Sequence, residues 1–185
     1  MDELDDLPDL VERAKSGQAA AWEALFRRSY PRLFAYATRR LGPEDAKDAV
    51  SETFARAVRR IDGFRWSGGG FDAWLYGIIR HVVTDAQRVA YRRPPGGELD
   101  DRACDSPGPL DHVLGEEEAA AVRRAFVRLS PSDQELLELR VVGGLSADET
   151  ARVLGKRPGA VRMAQSRALE RLRGLLDEAV VNHDR

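Results

Sequence analysis

Six basic side chains, Lys156, Arg157, Arg162, Arg167, Arg171 and Arg173, crowd one short stretch of the sequence, and only Glu170 opposes them. Cations at that density neutralise phosphates, and the planar fork of an arginine can also pair with the edge of a guanine. The elements that must present them are legible in the same stretch, residues 143–173. Ser146 and Glu149 have the spacing of a capping box, so a helix starts near Ala147. Thr150, Ala151, Val153 and Leu154 form its small and apolar face, and Gly155 suits a left-handed exit. Pro158 then suits the first turn of a second helix, whose Val161, Ala164, Ala168 and Leu172 recur at three and four and face inward. Gln165 falls close to that stripe and is expected beside the core, not on a base. A basic second helix after a tight glycine turn fits the major groove of DNA. The competing reading is a plain helix pair whose arginines are merely solvated.

Two further constellations lie in the first half of the chain. Asp45, Asp48 and Glu52 share one face of a helix, where they can meet water or a basic partner. Residues 71–88 interleave Phe71, Trp74, Leu75 and Ile78 with Arg80 and Arg88, after a glycine-rich stretch, 63–70, that carries Phe64 and Trp66. Aromatic faces beside cations suit unstacked single-stranded bases. The same aromatics can equally be core.

Strand signals are almost absent, and the expected fold is all-α: a helical bundle and a helix-turn-helix domain. Helices are expected near residues 8–16, 19–41, 44–60 and 71–92. Their inner positions include Trp22, Leu25, Phe26, Leu33, Phe34 and Ala37 on the second, and Val50, Phe54, Ala57, Val58 and Ile61 on the third. Pro94, Pro95, Gly96, Gly97, Pro107, Gly108 and Pro109, interleaved with acids, have the composition of a flexible linker. The expected boundaries are 7–93 for the first domain, 94–114 for the linker and 115–181 for the second domain. In the second, an acidic start at Glu116, Glu117 and Glu118 leads through Val122, Ala125, Phe126 and Leu129. Ser130 and Asp133 then restart a helix with Leu136, Leu137, Leu139 and Val142 inside.

The net charge of −2 conceals segregation, because eight acidic residues and one arginine fall between Glu98 and Glu118. One cysteine, Cys104, excludes an internal disulfide, and His81, His112 and His183 lack ligand spacing, so neither metal nor cofactor is expected. No apolar run reaches the length of a membrane span and the acidic start is unlike a signal peptide, so a cytoplasmic chain without membrane insertion is expected.

In this order the segments resemble the sigma-70 family of RNA polymerase initiation factors, and more narrowly its two-domain extracytoplasmic-function (ECF) group. The first motif is echoed by Asp45, Asp48, Glu52 and Phe54, with Ser51 where glutamine is usual. A second is matched by Phe71, Trp74, Leu75, Ile78, Asp85 and Arg88, with His81 in place of asparagine. The third runs through Gly144, Leu145, Ser146, Glu149, Ala151, Leu154, Gly155, Gly159, Val161, Arg162, Arg167, Ala168 and Leu172. The likeness covers about residues 8–175 in the minimal form, with no long extension expected at either end, and the Arg- and Ala-rich composition looks actinobacterial.

The resemblance implies roles. The face at Asp45, Asp48, Val50, Glu52, Thr53 and Phe54 would dock on the large catalytic subunit of core RNA polymerase. Phe64, Trp66, Trp74, Arg80, His81, Asp85 and Arg88 would melt and hold the −10 element, and His81 would alter its preference. Lys156, Arg157, Gly159, Arg162, Met163, Ser166 and Arg167 would meet the −35 duplex. Met163 and Ala164 stand where polar groups are common, so Arg162, Ser166 and Arg167 are favoured. An anti-sigma protein, often membrane-tethered, would restrain the factor. The alternative is a stand-alone regulator binding operator DNA through the same helix pair. An enzyme ranks third, since no phosphate loop, dinucleotide fingerprint, HExxH or nucleophile–base pair stands in the sequence.

Overall fold

The computed structural model describes residues 6–66, 70–92 and 116–181. The expected linker at 94–114, with Cys104 and His112, lies outside the described residues, as does His183. Among the described residues there are helices and no strand. The chain divides into two compact units, Met1–Asp101 and Arg102–Arg185.

The first unit holds α1 (Leu7–Lys15), α2 (Ala19–Leu41), α3 (Pro43–Arg60), a 3-10 turn (Ile61–Gly63) and α4 (Gly70–Arg92). Helix α1 carries a proline in its first turn, where the missing N–H costs nothing, and buries Leu10, Val11 and Ala14. The Trp22 indole of α2 donates to the Ala14 carbonyl at 3.2 Å and so pins the end of α1. Helix α2 runs through Pro31, which removes one interior hydrogen bond. Rings four residues apart bridge that gap: Tyr30 lies 5.1 Å from Phe26 and stacks on Phe34 at 5.4 Å. Gly42, at φ +83°, then turns the chain into Pro43 and α3.

Leu25, Leu33, Val50, Phe71, Leu75 and Ile79 fill the centre of this unit. Val58 does not join them. It is 50% exposed, although its spacing on α3 had placed it inside. Ala57 and Ile61 keep the buried stripe, and Val58, one position round the helix from Ala57, falls outside it. Trp22, Phe26 and Phe34 are half-buried and line the margin of the core.

The second unit holds α5 (Glu116–Val127), α6 (Pro131–Leu137), a π-helical turn (Glu138–Val142), α7 (Ala147–Leu154) and α8 (Pro158–Val181). Ser130 caps α6 by accepting the Asp133 N–H at 3.2 Å. The reciprocal arm expected of a capping box is replaced, because the Asp133 carboxylate accepts the Ser130 hydroxyl at 2.8 Å and turns to Arg171. One core cluster joins Leu136, Ala147, Ala151 and Val161, and a second joins Leu129, Leu137 and Ala168. Val161 and Ala168 belong to α8, so its inner stripe is the one its periodicity predicts.

Candidate nucleic-acid interface

The helix-turn-helix is built from complete caps. Ser146 Oγ accepts the Glu149 N–H at 3.2 Å, and Glu149 Oε2 accepts the Ser146 N–H at 2.6 Å. At the other end of α7 the Lys156 N–H reaches the Ala151 carbonyl at 2.7 Å, and the Gly155 N–H reaches that of Arg152 at 3.3 Å. This is a Schellman exit, and it requires the left-handed φ of +65° that Gly155 adopts. The turn length between α7 and α8 is therefore set by local chemistry.

With Val161 and Ala168 buried, α8 turns the opposite face outward. Lys156, Arg157, Gly159, Arg162, Ser166 and Arg167 are exposed, and Met163 is 64% exposed. Among the described residues Arg162 and Arg167 have no carboxylate partner. Unpaired guanidinium groups on a rigid convex face suit phosphates and base edges. Gln165 is half-buried, and its Oε1 accepts from Arg140 Nε at 2.7 Å, which agrees with its expected place beside the core. The same arginine also donates to the Leu145 carbonyl. Arg140 thus ties the π-helical turn, the entry to α7 and the outer flank of α8. Spacing alone offered no signal for it, since an arginine in a helix reads as solvated.

In the first unit the acidic face of α3 is smaller than the sequence implied. Asp45 and Asp48 are exposed, but Glu52 bonds Arg56 at 2.7 Å and lies 3.4 Å from Arg59. The Arg56 hydrogen bond outweighs partial desolvation and, with the charges of Arg56 and Arg59, holds the Glu52 carboxyl below the usual range. Val50, Thr53 and Phe54 correct the expected docking set. They are buried, at 0%, 0% and 7% exposure, and lie beneath the exposed acids of the helix instead of beside them. The Thr53 hydroxyl is already used, donating to the Ala49 carbonyl at 2.7 Å. Phe54 packs against Phe26 at 4.8 Å between ring centroids.

The aromatic set divides in the same way. Phe64 is only 3% exposed and lies within 5.8 Å of Trp66, Phe71 and Trp74, so its ring is packed into the core. Trp66 is 43% exposed, while Trp74 is half-buried. Residues 67–69 of the expected glycine-rich loop lie outside the described residues. His81 and Arg88 are exposed and Arg80 is half-buried, all on α4. Asp85 lies 3.5 Å from Arg56 and 4.0 Å from Arg88, so it links α4 to α3. Asp72, which the motifs did not single out, holds the start of α4 to α2 through Arg28 at 3.0 Å and Arg32 at 3.4 Å. Among the described residues no group of acids, histidines or cysteines could hold a metal ion, and no helix is long and apolar enough to cross a membrane.

Residues 25–93 match the Sigma-70 region 2 family, and residues 119–172 match Sigma-70 region 4. The chain belongs to the sigma-70 family. Its relatives place it in the ECF group. It is 37% identical to the ECF RNA polymerase sigma factor ShbA of Streptomyces griseus, over 96% of this chain and 98% of that one. It is 40% identical to the ECF sigma factor BldN of Streptomyces coelicolor, over 92% of this chain and 66% of that longer protein. These sources agree with the actinobacterial character of the composition. Among solved structures, CnrH in complex with the cytosolic domain of CnrY is 28% identical, with a TM-score of 0.66 over 91% of this chain and 96% of that one. This ECF sigma factor directs RNA polymerase to promoters and initiates transcription there. Helix α1 precedes the matched segment of its first unit.

Proposed function

We propose a division of labour in which α3 docks the factor on core polymerase, α4 and the turn before it hold the melted −10 strand, and α8 reads the −35 duplex. The docking surface is Asp45 and Asp48, with Glu52 at its paired edge, over the buried layer of Val50, Thr53 and Phe54. The −10 surface is Trp66 with Trp74, Arg80, His81, Asp85 and Arg88, and Phe64 supports it from beneath. Arg162, Ser166 and Arg167 carry the −35 contact, flanked by Lys156, Arg157, Gly159 and Met163. The domain bounds that go with these roles are 7–93 and 115–181. The factor has no catalytic activity of its own and works in the cytoplasm, where the polymerase and chromosome are. An anti-sigma protein, soluble or membrane-tethered, silences it by covering the α3 surface and part of the second unit. The complex of CnrH with CnrY supports that partner class.

The observation that carries the reading is the exposed, unpartnered Arg162 and Arg167 on α8, which follows the capped α7, in a chain that also holds a Sigma-70 region 2. Transcription in vitro from a pool of genomic fragments tests it. With core polymerase, the factor should produce transcripts sharing sequence near −35 and −10. Tight operator-like binding of the chain alone, with no transcripts when core polymerase is added, would reject it in favour of a stand-alone regulator.

A further inference from the structure

One side chain on the outer face of α8 fits neither the core beneath it nor the charge around it. Val161 packs with Leu136, Ala147 and Ala151, which fixes the rotation of α8 about its axis. Met163 stands two residues on, about 200° round the helix. It is 64% exposed, the highest value for a large apolar side chain among the described residues. Lone exposed apolar residues are ordinary on a protein surface; the setting of this one is not. Its helical neighbours at three and four, Gly159, Ala160, Ser166 and Arg167, are all exposed, and none is a large apolar residue. A long helical side chain leans over the turn before it, which here is Gly159 and Ala160. A Cβ at position 159 would meet nothing within 4 Å, so that turn has no bulk to cover the thioether.

We propose that Met163 is a specificity-determining residue, which reads a thymine of the −35 duplex through its C5 methyl group. The inference rests on the reading of α8 as the −35 helix. The first turns of a recognition helix are the part that reaches base edges in the major groove. Met163 lies in the second turn of a helix that starts at Pro158. Its side chain has no charge and no donor, so it gains nothing from a phosphate and offers a base only a weak sulfur acceptor. The thymine methyl is the apolar group that a base pair shows in that groove. Contact with it takes apolar surface of both partners out of water. Against a cytosine amine or a purine N7, the thioether would displace water without replacing its hydrogen bond. Arg162 and Arg167 supply affinity, and Met163 supplies the choice of base at one position.

The test uses the full chain bound to core polymerase. The parent first selects a preferred duplex from a pool randomised over the −35 segment. Each thymine of that duplex is then replaced singly by uracil, which removes the methyl and keeps the base pair. Affinities are measured for the parent, Met163→Ala, Met163→Leu and the double Arg162→Ala, Arg167→Ala variant, with melting temperature and polymerase capture for each. For the parent, uracil at one thymine should weaken binding about four-fold, the scale of one buried methyl group. Met163→Ala should keep the parental melting temperature and capture, yet no longer tell thymine from uracil at that position. Met163→Leu, which keeps apolar bulk, should restore the discrimination. A selected duplex without thymine, a parent indifferent to uracil at every position, or a penalty as large in Met163→Ala as in the parent would overturn the inference. The double arginine variant separates the two levels. If it loses the selected duplex while the uracil scan is flat, only the role of Met163 fails; if it binds as the parent does and the scan is flat, the reading of α8 fails as well.

Discussion

Arg162 and Arg167 differ from Arg27, Arg28 and Arg56, which are spent on the nearby carboxylates of Glu23, Asp72 and Glu52. The two on the outer face of α8 have no such partner among the described residues, so their donors are available to DNA. Replacing either by alanine should weaken −35 duplex binding. Where the lost contact is a bidentate pair to guanine, discrimination should fall by about 1–3 kcal/mol. Where it is to phosphate, all sequences should weaken alike and the salt slope should drop by roughly one. Titrations of matched and scrambled duplex at several salt concentrations separate these outcomes, and normal binding by the double alanine variant would remove the assignment. On α3, Asp48→Lys should reduce capture of core polymerase at unchanged melting temperature, since Asp48 is exposed and buries nothing. Undiminished capture would move the docking surface elsewhere.

Between elements, the pose of α8 is held by two polar ties that bracket its middle. Arg171 donates to both oxygens of Asp133, at 3.0 and 2.8 Å, and joins α8 to the start of α6. Burial works to raise the Asp133 carboxyl, but hydrogen bonds from Arg171 and Ser130, with the charges of Arg171 and Lys156, prevail and hold it below the ordinary value. A depressed folded value means that the unfolded chain binds the proton more readily. This contribution is therefore complete above about pH 4, the unfolded carboxyl value, and is lost as pH falls through the folded one. Asp133→Asn should lower stability at neutral pH by about 1–2 kcal/mol, tempered by the exposure of Arg171, and the gap to the parent should close in acid. Equal differences at pH 7 and pH 3 would deny the ion pair its role. The second tie is Arg140, whose replacement by methionine should keep the packed stem but free Gln165. Weaker −35 binding with little change in melting temperature is expected, measured on the same duplex titrations.

At the scale of the molecule, charge and packing are divided between the units. A net charge of −2 covers a basic face on α8 and acids gathered elsewhere, so the local field and not the sum governs approach to DNA. Each unit has its own buried cluster, around Leu25, Phe71 and Leu75 in one and around Leu136, Val161 and Ala168 in the other. Calorimetry should accordingly resolve two cooperative transitions. Asp133→Asn should shift only the transition of the second unit, and a shift of both would show that they unfold together. An anti-sigma partner that covers α3 should compete with core polymerase, so capture should fall as the partner is titrated in.

Much of this protein was legible in one dimension because the relevant physics is local. Helix ends followed from Pro43, Ser146, Gly155 and Pro158, whose effects reach no further than a turn, and the inner stripe of α8 followed from a period of 3.6 residues. The motifs and their order identified the family. The sequence could not say which residues of a motif touch a partner and which support those that do. Val50, Thr53 and Phe54 share a motif with Asp48, yet they face the bundle, and Phe64 lies under Trp66 instead of beside it. Burial depends on what packs from across the fold, and periodicity on one helix leaves the depth of that packing open, as Val58 shows. The long-range ties were invisible for the same reason. Arg28 to Asp72, Arg140 to Gln165 and Asp133 to Arg171 join residues far apart in the chain, and only the tertiary structure brings donor and acceptor within reach.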